Sequence, residues 1–116
     1  MRNFKQNQSL RFWFEALANS VCGDEPDLSA RQMAIMLTVY LTDGPHTVRG
    51  LTADLVISKP AVTRALDRLA DLKFVTRAKD PRDLRSVLIN RTEPGDQFLN
   101  HFADIILSAK RKTELG

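Results

Sequence analysis

Residues 47–91 constrain the fold more than any other part of the chain. Their patterns predict a short helix, a turn, a second helix and then a two-stranded hairpin. In the second helix, Ser58 is a natural N-cap because its hydroxyl can accept a hydrogen bond from the first turn. Pro60 falls in that turn, where a missing N–H costs nothing. Apolar residues recur on one face at helical spacing: Val62, Ala65, Leu66 and Leu69. The other face carries Lys59, Thr63, Arg64, Asp67 and Arg68.

The residues after this helix predict a hairpin with a charged tip. Residues 75–77 and 86–89 are rich in the β-branched side chains that strands favour. Between them, residues 78–85 contain an Asp-Pro step that marks a turn, so we predict a long, basic loop. Arg82 and Arg85 would project from it, while Asp80 and Asp83 would hold their guanidinium groups through paired hydrogen bonds. The alternative is a solvated, charge-rich loop.

Positive charge is concentrated in this segment. Residues 59–91 hold nine of the 17 Lys and Arg and four of the 14 Asp and Glu, so the segment has a net charge of +5 in a chain of +3. Such an asymmetry is the electrostatic footprint of a phosphate-binding face. Arg and Lys on a helix can read guanine edges in a major groove, and Arg is favoured in a narrow minor groove.

These patterns together predict a winged helix-turn-helix that binds double-stranded DNA. The alternatives are an amphipathic helix with a merely solvated charged face and, for the whole chain, a winged-helix protein–protein interaction module without DNA readout. The predicted DNA contacts are Thr47, Ser58, Lys59, Pro60, Thr63, Arg64, Arg68, Arg77, Lys79, Arg82 and Arg85.

Five pieces of the sequence, residues 51–64, Leu69, 75–77, 80–85 and 92–95, resemble the MarR-type bacterial transcription regulators. The order of motifs is S-x-x-x-V-T-R, D-x-x-D-x-R and T-x-x-G, and the resemblance covers residues 29–102. It implies a homodimeric winged-helix DNA binder, usually a repressor, which a small aromatic effector or oxidation often releases from DNA.

Three departures from that pattern stand out. The family usually has Gly where Lys73 stands; a Lys with positive φ costs about 1 kcal/mol, so we expect a differently built helix end. The family commonly has Arg where Leu84 stands, which leaves groove insertion to Arg82 or Arg85. Finally, one helix rather than two follows the wing.

The flanking helices are predicted to form a dimer. Residues 9–22 and 92–112 each carry an apolar stripe at helical spacing, and Thr92 caps the second of them. A stripe this long on a terminal helix predicts an isologous two-fold interface; the alternative is that the last helix folds back on its own core. The predicted interface residues are Leu10, Trp13, Phe14, Leu17, Phe102, Ile105, Ile106 and Ala109.

The remaining helices are predicted to form the scaffold. A capping box of Ser29 and Gln32 opens a helix whose residues 33–41 are apolar nearly all round, which predicts burial. Residues 47–55 form the positioning helix with Thr47 as its cap. Gly50 weakens it, and we predict that a neighbouring helix approaches closely there. By the family resemblance, an effector pocket is predicted near Trp13, Met36 and Tyr40.

Composition limits the other functions. At 116 residues, one domain spanning residues 1–116 is expected. No metal-ligand spacing, phosphate loop or catalytic triad order is present, so we predict neither an enzyme nor a cofactor. His46 is expected to be solvated in a turn and His101 to lie on a helix surface. Cys22 is predicted to be a small buried residue. With one cysteine and a polar start without an apolar signal region, a cytoplasmic protein is expected.

Overall fold

Residues 1–115, which the computed structural model describes, form five helices and a small antiparallel sheet. The strand order is β1-β3-β2. This is the predicted mainly α architecture with a winged helix-turn-helix. The elements are α1 Phe4–Cys22, α2 Ala30–Leu41, β1 His46–Thr47, α3 Val48–Leu55, α4 Lys59–Asp71, β2 Val75–Asp80, β3 Asp83–Arg91 and α5 Glu93–Leu115.

The chain divides into two compact units. The central unit is Leu28–Gln97, and the terminal unit joins Met1–Asp27 to the segment that begins at Phe98. The core of the central unit comes from α2, α3, α4 and the sheet; its largest fully buried side chains are Ile35, Met36, Val39, Leu51, Val62, Leu66, Leu69 and Val75. The predicted burial of α2 is wrong at its end, because Leu41 is 74% exposed.

In the terminal unit, Ala16 and Ala109 are fully buried. The rings of Phe98 and Phe102 stack with centroids 6.4 Å apart. Cys22 is exposed, so its prediction as a buried residue is wrong. It is the last residue of α1, where the following Gly23 leaves the helix in an extended conformation. No helix within residues 1–115 combines the length and the hydropathy of a membrane-spanning segment.

Four of the five predicted helix starts are confirmed, including the one at Thr92, before α5. Ser29 Oγ accepts from Gln32 N at 3.0 Å, Thr47 Oγ1 from Gly50 N at 2.9 Å, and Ser58 Oγ from Ala61 N at 3.3 Å. The fifth start, Ser9 for α1, is wrong because a capping box lies earlier. Asn3 Oδ1 accepts from Gln6 N, and Gln6 Oε1 accepts from Asn3 N, both at 2.8 Å, so α1 starts at Phe4.

The predicted close approach of a neighbouring helix at Gly50 is wrong. A Cβ at this position would meet Thr47 Oγ1 at 3.2 Å, and that atom is the cap of the same helix. The close approach is therefore internal to α3. The small residue keeps room for the cap's hydrogen bond to the Gly50 N–H.

The end of α4 follows the family pattern despite the missing glycine. Lys73 has a φ of 65°, in the left-handed region. Its N–H donates to Ala70 O at 2.9 Å, and the N–H of Phe74 donates to Leu69 O at 2.9 Å. These two bonds make a Schellman motif. They satisfy two helix-end carbonyls and, with the burial of Phe74, offset the strain, so the prediction of a differently built end is wrong.

Val56, between α3 and α4, is strained in the same way. It has φ 52° and ψ 49°, and its side chain is 89% exposed. The left-handed conformation costs an L-residue about 1–2 kcal/mol, whereas Gly loses about 0.5–1 kcal/mol in backbone entropy. We therefore expect Val56→Gly to raise the free energy of unfolding by about 0.5–1 kcal/mol in urea titrations.

The control for this variant is Ala53→Gly, at an exposed position inside α3. At that position Gly has the same entropic cost, but no backbone strain is relieved. The free energy of unfolding is therefore expected to fall by about 1 kcal/mol. A loss of stability in Val56→Gly as large as that of Ala53→Gly would contradict the prediction.

The wing is more regular than predicted. β2 continues to Asp80 and β3 begins at Asp83, so a two-residue turn replaces the long loop. Pairing runs regularly from Val75↔Arg91 to Lys79↔Val87 and then shifts so that Asp80 pairs with Asp83. Residues 84–86 therefore stand opposite no residue of β2. A bulge of this kind bends a strand and re-aims its side chains.

The strand β1 was not predicted from the sequence. His46 pairs with Ile89 and Thr47 with Leu88, which places β1 on the outer side of β3. The predicted solvated turn at His46 is therefore wrong: its ring is half-buried, and Nε2 lies 3.0 Å from Thr42 O. His101 is exposed on α5, as predicted.

The first turn of α5 is joined to α2 and to the end of α4. Thr92 Oγ1 accepts from Gly95 N at 3.0 Å, which confirms the predicted cap, and donates to Lys73 O at 2.7 Å. The buried Tyr40 hydroxyl donates to Phe74 O at 2.6 Å and accepts from Thr92 N at 2.9 Å. Gly95 is packed against this group without room for a side chain.

Candidate nucleic-acid interface

α4 presents one polar, basic face along its length. Its apolar stripe, Ala61, Val62, Ala65, Leu66 and Leu69, is buried, as the spacing predicts. On the other face the predicted residues Lys59, Pro60, Thr63, Arg64 and Arg68 are all exposed. Within residues 1–115, no hydrogen bond or ion pair holds the guanidinium groups of Arg64 and Arg68. Both remain available to an external anion or base.

α3, α4 and the wing enclose a groove of about 310 Å³. Four cationic residues line it, and each comes from a different element: Arg49, Lys59, Arg77 and Arg85. Hydroxyl groups of Thr52, Thr63 and Ser86 and the apolar side chains of Val48, Leu66 and Val87 complete the lining. The bulge at residues 84–86 brings Arg85 and Ser86 to this groove. The groove therefore brings together four of the predicted residues: Lys59, Thr63, Arg77 and Arg85.

The carboxylates of the wing tip form hydrogen bonds with the backbone instead of with the guanidiniums. Asp80 Oδ1 accepts from the Arg82 N–H at 2.9 Å, and Asp83 Oδ1 accepts from the Arg85 N–H at 3.1 Å. The predicted paired hydrogen bonds to the Arg side chains are therefore wrong. Arg85 Nε stays 3.6 Å from Asp83 Oδ1 in an ion pair, and its side chain is 90% exposed. Such short side-chain-to-backbone bonds shape turns.

Besides Arg85, two cations of the basic segment are engaged within the protein. Arg77 Nη1 donates to Asp67 Oδ1 at 2.6 Å. Arg91 donates from Nε to Val39 O at 2.8 Å and from Nη2 to Thr42 O at 3.0 Å, at the end of α2. The net charge of the segment therefore overstates the charge that is free to meet a ligand.

The other predicted DNA contacts lie around the groove without lining it. Lys79 and Arg82 are exposed on the wing. The hydroxyl groups of Thr47 and Ser58 each cap a helix, so their main role in the protein is structural.

Arg49, Thr52 and Ser86 are the polar groove residues that the sequence prediction missed. Arg49 lies in the first turn of α3, two residues after the Thr47 cap, and is exposed. A signal was present, because the first helix of a helix-turn-helix crosses the DNA backbone. A cation at its start is therefore a candidate for phosphate contact.

The predicted effector residues have unlike surroundings. Trp13 is 46% exposed on α1 in the terminal unit, whereas Met36 is fully buried in the core of the central unit. Tyr40 is buried as well, and its hydroxyl is engaged by Phe74 and Thr92. A pocket for a small aromatic effector at these three residues stays a prediction.

The predicted dimer residues divide into three groups. Leu10, Trp13, Phe14 and Leu17 of α1 are 43–58% exposed. Phe102, Ile105 and Ile106 of α5 are half-buried. Ala109 is fully buried within its own chain and offers no surface to a second copy. The predicted interface stays a prediction, and more of its apolar surface is exposed on α1 than on α5.

A buried α3–α4 pair, an exposed basic helix face and a hairpin wing define a winged helix-turn-helix protein. The family model described as "MarR family" matches residues 28–87. The chain therefore belongs to the MarR family.

Curated relatives and solved structures agree with this family. The uncharacterized HTH-type transcriptional regulator YkoM of Bacillus subtilis is 29% identical over 76 residues, which is 66% of this chain and 49% of the relative. The uncharacterized HTH-type regulator YpoP of the same organism is 30% identical over 78 residues, 67% of this chain and 55% of the relative. The chain thus spans about half the length of the curated relatives it matches.

Among solved structures, a MarR transcriptional regulator from Methanosarcina mazei Go1 has a TM-score of 0.63 at 25% identity, covering 72% of this chain and 59% of that chain. The transcriptional regulator Tm0710 of Thermotoga maritima has a TM-score of 0.73 at 21% identity, covering 96% of this chain and 77% of that chain. At that identity the second likeness supports the fold alone.

Proposed function

We propose that this MarR-family regulator binds specific DNA sequences as a homodimer, with α4 in a major groove and the wing in the adjacent minor groove. The observation that carries the proposal is the groove lined by Arg49, Lys59, Arg77 and Arg85. Four elements separated along the chain converge there with cationic side chains, of which Arg77 is paired with Asp67. A winged-helix protein–protein interaction module would not require that convergence.

The exposed face of α4 supports base readout. Thr63 and Arg64 lie beyond the first turn, where a helix inserted into a major groove meets base edges. Arg can donate two hydrogen bonds to guanine O6 and N7, and the Thr methyl can touch a thymine methyl. Lys59 and Arg68 flank these residues toward the two ends of the helix and suit phosphate contacts.

The wing supports a contact with the adjoining minor groove. Arg82 occupies the two-residue turn at the tip, and Lys79 is exposed just before it. Because Asp80 and Asp83 bind backbone N–H groups, the tip is shaped without the use of the Arg82 side chain. A minor groove with enhanced negative potential favours such an Arg.

The apolar face of α1 supports dimerisation. Leu10, Trp13, Phe14 and Leu17 are large apolar side chains that remain about half exposed on one helix. Apolar patches of this kind mark interaction sites, and a two-fold axis through them would make an isologous contact. Two recognition helices would then meet half-sites about one helical turn apart, about 34 Å.

The test begins with selection of a bound duplex from a random pool, followed by mobility shifts over a salt series. We expect the logarithm of the association constant to fall linearly with the logarithm of salt concentration, and a scrambled duplex to bind about 10³-fold more weakly or worse. Sedimentation should give the mass of a dimer. Binding that ignores salt, or no selected sequence, would favour the interaction-module alternative; a monomer would overturn the homodimer.

Replacing Arg49 with Ala is expected to weaken all duplexes to a similar degree. Its position at the start of α3 suits a phosphate, and phosphate contacts carry no sequence information. Each lost contact should reduce the salt slope by about 0.9. The measurement is the salt series on selected and scrambled duplexes, with Arg49→Lys expected to retain the slope. A changed preference between the two duplexes would make Arg49 a base contact instead.

A further inference from the structure

Asp67 is an acidic residue on the exposed face of α4, among the side chains proposed to face DNA. A carboxylate there repels phosphate. Its Oδ1 accepts a hydrogen bond from Arg77 Nη1 at 2.6 Å. Arg77 belongs to β2, so this ion pair links the recognition helix directly to the wing.

We propose that Asp67 is a positioning residue that holds the wing at a fixed distance from the recognition helix. Arg77 is then its partner within the protein and not a phosphate contact. This inference rests on the proposed function, because the distance matters only if helix and wing meet one duplex together.

The position of the pair along the wing supports this role. The start of β2 is fixed by the burial of Val75 and by the Schellman motif that ends α4. Arg77 follows two residues later. Within residues 1–115, no hydrogen bond or ion pair joins β2 to α4 beyond Arg77, and Ala78 and Lys79 are exposed. The Asp67 pair is therefore the last polar connection to α4 before the tip.

The expected size of the effect follows from the exposure of the pair. The two side chains are 37% and 55% exposed, and exposed pairs favour one arrangement by at most about fivefold. Apparent affinity falls in proportion to the fraction of molecules in the binding-competent arrangement. Because a dimer carries two copies, the loss of the pair should weaken specific binding by up to about 25-fold.

Simple electrostatics predicts a change in DNA affinity of the opposite sign. If Asp67 were only a solvated acid near DNA, Asp67→Asn would remove repulsion and tighten binding. The matched control is Asp71→Asn, the same change at an exposed acid one turn later on α4. Within the described residues, Asp71 makes no side-chain hydrogen bond or ion pair, so its replacement should leave binding unchanged or slightly tighter.

The experiment measures the affinity of these variants for the selected duplex. Asp67→Asn and Arg77→Gln should each weaken binding by about the same factor, and Arg77→Gln should keep the wild-type salt slope. The double variant Asp67→Arg with Arg77→Asp restores the pair with exchanged charges and should recover most of the affinity. Tighter binding in Asp67→Asn, no recovery in the double variant, or a slope reduced by about 0.9 per protomer in Arg77→Gln would each overturn the proposal.

A second measurement needs no DNA. Amide hydrogen exchange in β2 should accelerate in Asp67→Asn and remain at the wild-type rate in Asp71→Asn and in the double variant. Unchanged exchange in Asp67→Asn would overturn the positioning role. This hydrogen-exchange measurement does not involve DNA, so it tests the positioning role even if the proposed DNA binding fails. Failure of the positioning role and failure of DNA binding are therefore distinguishable.

Discussion

Replacing Arg64 with Ala is expected to weaken binding to the selected duplex by about 1–3 kcal/mol per protomer. The side chain is exposed on the proposed reading face of α4, and within residues 1–115 its guanidinium forms no ion pair. The substitution therefore breaks no ion pair within this part of the protein. Each half-site should lose about fivefold to 150-fold in affinity, and discrimination against the base that Arg64 contacts should relax.

The measurement compares affinities for the selected duplex and for duplexes with single base substitutions. Arg31→Ala is the matched control, because it removes the same charge from an exposed position at the start of α2. It should have little effect. An Arg64→Ala protein that loses the same factor on every duplex would show a phosphate contact and would contradict base readout by this residue.

Gly95→Ala is expected to have the largest effect on stability. A Cβ at this position would overlap the Tyr40 hydroxyl, and it would lie 2.5 Å from Phe74 O and 2.7 Å from Tyr40 Cζ. The Tyr40 ring is buried and its hydroxyl is held by the bonds to Phe74 and Thr92, so it has no simple way to move aside. Forcing a methyl group into a packed site costs about 1–3 kcal/mol, occasionally more, and disruption of these bonds adds about 1–3 kcal/mol.

Urea denaturation measures this effect, and two further variants define its cause. Gly23→Ala is the neutral control, because the nearest atom to its Cβ would be Glu25 N at 4.0 Å. Its stability should change by less than about 0.5 kcal/mol. Tyr40→Phe combined with Gly95→Ala removes the atom that overlaps. The free energy of unfolding of the double variant should therefore fall by less than the sum of the decreases in the two single variants. A Gly95→Ala protein as stable as wild type would contradict the described packing.

Features that depend on neighbours in the sequence were predicted well. The caps at Ser29, Thr47, Ser58 and Thr92 each involve a hydrogen bond to the residue three positions later, so the sequence contains both partners. The apolar stripe of α4 depends on the same local periodicity. The start of α1 was missed although Asn3 and Gln6 carry the same local signal.

Features that depend on distant residues were predicted less well. The Schellman motif at Lys73 requires a backbone conformation that Lys disfavours, and the interactions around Phe74 offset that cost. The strand β1 exists because β3 lies beside it. Its two residues are too few to form a pattern that a sequence reading could detect.

The candidate interface shows the same division. Exposed cations on α4 were predicted from helical spacing alone. The convergence of Arg49 with the wing, and the engagement of Arg77 by Asp67 and of Arg91 by α2, depend on the folded chain. A charge count along the sequence includes all of these cations equally, because it contains no information about partners.

In the proposed complex, the hairpin is the spacer between α4 and the Arg82 side chain. β2 has six residues, and a strand of this size extends about 17–20 Å. One turn of B-DNA rises about 34 Å, so a major groove and the next minor groove are separated by about half of that, roughly 17 Å. The reach of the ribbon therefore matches the groove-to-groove step. In the proposed complex, a wing two residues shorter in each strand would end about 7 Å before Arg82 met the second groove.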